Sequence, residues 1–365
     1  MRQDATARPR TGGRPAPPIA WLIALFAVVA FAMLPGIARA QESCPANLAP
    51  GDSCQAGRED AGTAPGAGLP STSVGNPIDL VTGTKSQSET DLAIDGAALG
   101  FRRHYQSVDT DDTIGIGQGW RHTYAVTLAA TPDGGRHLTD ATGRVVLFGP
   151  AGEERPGVHP AHLPSDGHVL DAVDGSTWVV PDGRRLSFRG PRSVRIDWPD
   201  RRFIALAYDT RLASATDETG RTLRFEWTPG RIGLPGYEAV PFTIHPGHLA
   251  ALILPDGQRI EYDYDNRRNL TRARFADGTS RVYRYENEVY PHHLTGLVDR
   301  TGTAFASWRH DDDGRAIASG HAGGVERVTL AFERPARVGE IGRTRVTDSL
   351  GGQSVYTWRR DASPA

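Results

Sequence analysis

Cysteine is almost missing from this chain. Its 365 residues hold two, Cys44 and Cys54, both inside QESCPANLAPGDSC. That excludes a disulfide framework as the main support of the fold, and leaves at most one small staple across a short loop. No His or acidic cluster stands beside these thiols at metal-ligand spacing, so neither a metal pair nor a catalytic thiol is expected there. Lysine is rarer still, with Lys85 the only one. Arginine supplies the remaining basic charge, and doublets such as Arg201-Arg202 and Arg267-Arg268 are interleaved with acids. A clustered basic surface for phosphates is missing, and no nucleic-acid partner is expected. Capped apolar helix patterns are missing too. With 42 Gly and 26 Pro, long helices are not expected.

The one extended apolar run is IAWLIALFAVVAFAML, Ile19 to Leu34. It follows a segment carrying Arg2, Arg8, Arg10 and Arg14, and precedes Ala38-Arg39-Ala40. A basic start, a short apolar centre and an A-x-A site read as a secretory signal peptide over residues 1–40, cleaved after Ala40. The competing reading is a retained anchor, but the run is short for the ~20 residues of a membrane span. A secreted, periplasmic or cell-surface product with no stable membrane span is therefore expected. Residues 1–40 hold five Arg and one Asp, so residues 41–365 carry 36 basic and 42 acidic side chains, a net charge of −6.

Residues 41–74 are rich in Gly, Pro, Ala and Ser and read as a disordered linker. From Gly75 onward short apolar or aromatic runs alternate with turn signals. Asp-Gly begins at Asp133, Asp174, Asp182, Asp256, Asp277 and Asp313, and Thr-Gly at Thr82, Thr142, Thr219 and Thr301. Such pairs between alternating runs are hairpin signals. Counted from the turn Gly, apolar or aromatic residues recur at +3, +5 and +7, which share one face of a strand. Gly143 is followed by Val146 and Phe148; Gly183 by Leu186 and Phe188; Gly220 by Leu223, Phe225 and Trp227. Gly257 is followed by Ile260, Tyr262 and Tyr264, and Gly351 by Tyr356 and Trp358. Gly278 is followed by Tyr283 and Tyr285, with Arg281 interrupting the pattern at +3. The step from Gly257 to Gly278 is 21 residues, and so is that from Tyr262 to Tyr283. One hairpin cannot bury such a face alone, whereas stacked units can. The fold class expected is all-β, with antiparallel hairpin repeats in an extended sheet.

DGQRIEYDYDNRRNLTRARFADGTSRVYRY resembles the YD repeat of RHS proteins. LTGLVDRTGTAFASWRHDDDGRAIASGHAGGVERVTLAF is similar to the RHS repeat region, with His310-Asp311 where many repeats carry Tyr-Asp. Upstream, GNPIDLVTGTKSQSETDL, FRRHYQS and GIGQGWRHTYAVTL resemble the N-terminal domain of unknown function that precedes those repeats. The resemblance implies a sheet that spirals into a partial hollow shell, related to toxin systems, with a β-rich N-terminal domain at 75–190 and repeats at 191–365. Nothing resembling the family's C-terminal core or toxin follows, so a truncated member or short relative is expected.

Local chemistry gives no catalytic, cofactor or metal residues to name. GIGQG at residues 115–119 lacks the Lys-Ser/Thr and helix start of a phosphate cradle. Asp109–Asp112 and Asp311–Gly314 do not complete a twelve-residue calcium loop. His245, His248, His292 and His293 stand beside Pro and read as solvated loop residues. No Gly-x-Ser-x-Gly elbow is present, though two acids across a groove could serve a glycosidase. The tyrosines at 262, 264, 283 and 285 fit core packing, with a sugar platform as the alternative. The function expected is a non-catalytic exported scaffold; carbohydrate or cell-surface binding is the alternative, and a secreted hydrolase the third reading. An open sheet edge near Val355–Trp358 would take a second polypeptide or a second copy.

Overall fold

A three-residue turn is the unit from which the sheet is built. The Gly257 N–H donates to the Leu254 carbonyl at 2.9 Å, and the Leu254 N–H to the Gln258 carbonyl at 2.8 Å. Asp256 Oδ1 accepts the Gln258 N–H at 3.0 Å. Closing this loop places Gly257 at φ +85°, where a side chain would be strained. The same bonds recur 21 residues later, between Gly278 and Phe275 and between Phe275 and Thr279. Between these two turns lie strands Arg259–Tyr264 and Leu270–Arg274, so each 21-residue step adds two strands.

The computed structural model describes residues 73–109, 112–229, 231–232, 244–245, 247–335, 337 and 340–359. The chain divides into two units, Met1–Gln41 and Glu42–Ala365, and every described residue belongs to the second. The signal-peptide pattern, both cysteines and residues 41–72 of the expected linker lie outside the described residues. Strand Ser73–Val74, at the linker's end, pairs with Ile78–Asp79.

Among the described residues there is no α-helix. One antiparallel sheet of 21 strands runs from Thr127–Ala130 to Gln353–Arg359. Neighbours in the sheet are neighbours in sequence, except that Thr222–Trp227 pairs with Leu249–Ile253. The short ladder of Arg231–Ile232 with Ile244–His245 stands between them in sequence. The sheet continues through residue 190, with Arg185–Arg189 paired to Arg192–Asp197. It does not close into a barrel. A single residue pair, Thr127 with Arg192, ties its first strand to Arg192–Asp197, and the strands after that run on to the far edge.

The alternation read from the sequence sets the core. At +3 and +5 after their turns, Val146, Phe148, Leu186, Phe188, Leu223, Phe225, Ile260 and Tyr262 are all buried. A smaller sheet packs on this face. Ser86–Ala93, Gly100–Gln106 and Trp120–His122 pair antiparallel in that order. It contributes Phe101, Tyr105 and Trp120, each at most 1 % exposed. Burying each such ring stabilises the docked state by roughly 2–3 kcal/mol.

Candidate functional site

The N-terminal sheet meets the repeat face through buried charge. Arg103 forms a two-pronged bond to Asp91, Nε to Oδ2 at 2.6 Å and Nη2 to Oδ1 at 2.8 Å. Both side chains are at most 1 % exposed. Position 91 falls where the ladder between Ser86–Ala93 and Gly100–Gln106 shifts register, between Thr90 and Leu92. Repeat tyrosines complete the shell around the pair. Tyr262 Oη donates to Asp91 Oδ2 at 2.6 Å, and Arg103 Nη2 donates to Tyr283 Oη at 2.9 Å. The Arg103 Cζ lies 5.1, 5.4 and 5.3 Å from the ring centres of Trp120, Tyr262 and Tyr283. Burial opposes charge on Arg103, but Asp91 beside it holds the guanidinium well above its usual basicity. Burial, reinforced by Asp91, pushes the Tyr262 hydroxyl well up, so it remains a proton donor.

Similar contacts run along the seam. The Trp120 indole N–H donates to Tyr285 Oη at 2.9 Å. Tyr105 Oη donates to the His292 carbonyl at 2.8 Å and accepts the Leu294 N–H at 3.0 Å. Arg281 reaches Glu89, whose side chain is 2 % exposed. Further along, the Trp308 indole N–H donates to the Asn76 carbonyl at 2.8 Å, and Thr344 Oγ1 donates to the Leu80 carbonyl. The interruption of the repeat at Arg281 is thus a docking point. A charged residue at +3 is a local signal in the sequence that something polar meets this face.

Lys85 is fully buried in the same seam. Its Nζ bonds the Ser86 carbonyl and Gln87 Oε1, and lies 4.2 Å from the Trp308 ring centre. Burial drives its basicity well below the ordinary lysine range. Nearby, His293 stacks on Tyr290 at 4.8 Å, and its ring centre is 4.8 Å from that of His310. Burial pushes His293 and His310 down to about 4 each.

The structure places the sequence candidates as follows. GIGQG is a close-packing loop: the Gln118 N–H donates to the Arg268 carbonyl, and a Cβ on Gly117 would meet the Leu270 nitrogen at 2.8 Å. Asp112 is taken by Arg268 at 2.7 Å and His248 at 3.1 Å. Residues 110 and 111 lie outside the described residues. The Asp311 carboxylate caps its own turn, accepting the Arg315 N–H at 2.9 Å and pairing with the Arg315 side chain. The loop histidines are not all solvated. His248 stacks on Tyr264 at 4.3 Å, His292 Nδ1 bonds Asn269 Oδ1 at 2.8 Å, and His293 is 8 % exposed. Tertiary neighbours far along the chain cover them. The His245 side chain lies outside the described residues. Among the described residues no three metal-ligating side chains converge. No described helix is long and apolar enough to cross a membrane.

Residues 75–148 match the family described as a domain of unknown function, DUF6531. The chain is 28 % identical over 302 residues to double-stranded DNA deaminase toxin A of Burkholderia cenocepacia (strain H111). That alignment covers 79 % of this chain and 20 % of the toxin, so the chain spans about a fifth of that relative's length. A solved structure of TcdB2-TccC3 without its hypervariable C-terminal region aligns over 78 % of this chain and 16 % of that one. Its sequence identity is 12 % and its TM-score 0.28. The domain match and the toxin relative fit a chain of RHS type, related to toxin systems.

Proposed function

We propose that this chain is a non-catalytic, exported RHS/YD-repeat scaffold, one wall of a larger β-assembly. The observation that carries this reading is the seal over its aromatic face. Tyr262 and Tyr283, at 5 % and 2 % exposure, are spent on Asp91 and Arg103 of the chain's own N-terminal sheet. Rings held this way support a wall and leave no face for a sugar, which weighs against a carbohydrate platform on the repeats. The 21-residue hairpin step supports the YD-repeat assignment. Export rests on the pattern of residues 1–40. The deaminase chemistry in the relative's name is not carried over, because the match spans a fifth of that protein.

The last described strand leaves one side open to pairing. Gln353–Arg359 pairs with Ile341–Thr347 over seven residue pairs and, among the described residues, with nothing on its other side. Val355 is 55 % exposed there. An unpaired edge is a template for another strand, from a second polypeptide or a second copy. Native mass spectrometry of the exported protein, isolated gently from its source cells, tests the reading. The expected species is a chain cut after Ala40 in complex with such a partner. A lone processed chain would overturn the edge assignment, and an uncut cytoplasmic chain would overturn export.

A further inference from the structure

A cavity of about 220 Å³ opens where the segment after Trp120–His122 crosses to the first strand of the main sheet. Arg192, Tyr208, Arg211 and Trp227 line one side, with Leu212 and Val126 among its apolar walls. Each arginine lies over an aromatic ring. The Arg211 Cζ is 4.5 Å from the Trp227 ring centre, and the Arg192 Cζ is 5.3 Å from that of Tyr208. Each donates one bond to a carbonyl: Arg211 Nη1 to Gly247 at 2.6 Å, and Arg192 Nη2 to Thr210 at 3.0 Å. A guanidinium has five N–H donors, so several remain on each.

Several other cations among the described residues are directly neutralised. Arg103, Arg195, Arg259, Arg274 and Arg300 each hold a carboxylate at 3.1 Å or closer. Among the described residues the hydrogen-bond acceptors of Arg192 and Arg211 are neutral carbonyls and not carboxylates. Asp112, which the Arg211 charge senses, is already bound by Arg268 and His248. The cavity thus joins two guanidiniums that hold no carboxylate directly among the described residues to aromatic and aliphatic walls.

We infer that this cavity binds a small organic acid, its carboxylate across Arg192 and Arg211 and a compact apolar body against Trp227 and Leu212. A planar carboxylate suits the guanidinium fork. The walls reward an apolar body, which inorganic phosphate lacks. Few polar groups in a largely apolar pocket is the usual composition of a small-molecule site.

The test is an NMR titration of the full chain with phenylacetate, following the Trp227 indole N–H. A saturable shift with a Kd on the order of 1 mM is expected for so small a ligand. Arg192→Gln and Arg211→Gln should each weaken binding roughly tenfold, since each removes charge-assisted bonds. Phenylacetamide and inorganic phosphate should not saturate. If Arg211→Gln loses its near-ultraviolet circular dichroism, Arg192→Gln, at an exposed position, decides alone. No saturation by phenylacetate, equal binding of the amide, saturation by phosphate, or unchanged affinity in Arg192→Gln would each overturn the assignment.

Discussion

Arg281 and Glu89 meet across 192 residues of sequence. Arg281 occupies the +3 position, where four of the other turn-launched strands place Val146, Leu186, Leu223 and Ile260. Glu89 is buried, and its other oxygen accepts the Gln87 side-chain N–H at 2.9 Å. Arg281→Leu matches the repeat pattern yet leaves a buried carboxylate without its cation. It should destabilise the fold by roughly 3 kcal/mol in urea unfolding. Adding Glu89→Leu should recover most of that loss, because a well-packed apolar pair replaces a buried ion pair at little cost. A neutral Arg281→Leu would remove this contact from the docking seam.

Two neighbouring repeat tyrosines should respond differently to loss of a hydroxyl. Tyr262 donates to the Asp91 carboxylate at 2.6 Å, and Tyr264 to the neutral Leu249 carbonyl at 2.9 Å. Tyr262→Phe should cost about 2 kcal/mol and Tyr264→Phe about 1 kcal/mol, since bonds to buried charge are the stronger. Combined with Asp91→Asn, the Tyr262→Phe change should show a coupling of about 1 kcal/mol. Equal losses and zero coupling would mean the repeat does not read the ion pair.

Arg201 sits at φ +72°, in the turn position that Gly257 fills in a later repeat. Trp198 closes that turn just as Leu254 does, accepting the Arg201 N–H at 3.1 Å. A left-handed non-glycine residue costs about 1–2 kcal/mol, part of which glycine gives back as chain entropy. Arg201→Gly should therefore stabilise by roughly 0.5–1 kcal/mol and raise the melting temperature. A lower melting temperature would show that the Arg201 side chain contributes more than the strain it bears.

Acid should loosen the seam before it titrates ordinary carboxylates. Folded His293 and His310 titrate at about 4, against 6.5 when exposed. Between those values the unfolded chain binds more protons, so stability rises with pH from 4 to 6.5 and levels off above. The groups around them are Lys85, His292 and Asp311, with Tyr290 stacked on His293. Both His310 ring nitrogens are buried without hydrogen-bond partners among the described residues. His310→Phe should flatten the slope, removing up to roughly 3 kcal/mol of its pH dependence. An unchanged slope in unfolding free energy between pH 4 and 6.5 would contradict this.

The sheet was legible and its seal was not. Turn glycines and period-2 aromatics are local signals, which is why strand after strand could be read from Gly143, Gly183, Gly220 and Gly257 onward. The contact of Arg103 with Tyr283 spans 180 residues, and no local pattern encodes it. The +3 arginine at 281 hinted at a polar partner without naming Glu89. His248 and His293 look solvated beside their prolines, because the residues that cover them, Asp112, Tyr264 and His310, come from other parts of the chain. GIGQG is Gly-rich like a ligand loop, whereas its Gly117 admits the backbones of Arg268 and Leu270.

Hydrogen exchange at amide resolution distinguishes a sealed repeat face from an open one. If the N-terminal sheet seals the repeat face, amides of Ser86–Ala93 and Gly100–Gln106 exchange only through the same global opening as those of Arg259–Tyr264 and Ser280–Arg284. One shared opening free energy is expected for all four strands. Fast exchange in the first two strands, with the repeat strands still protected, would contradict it.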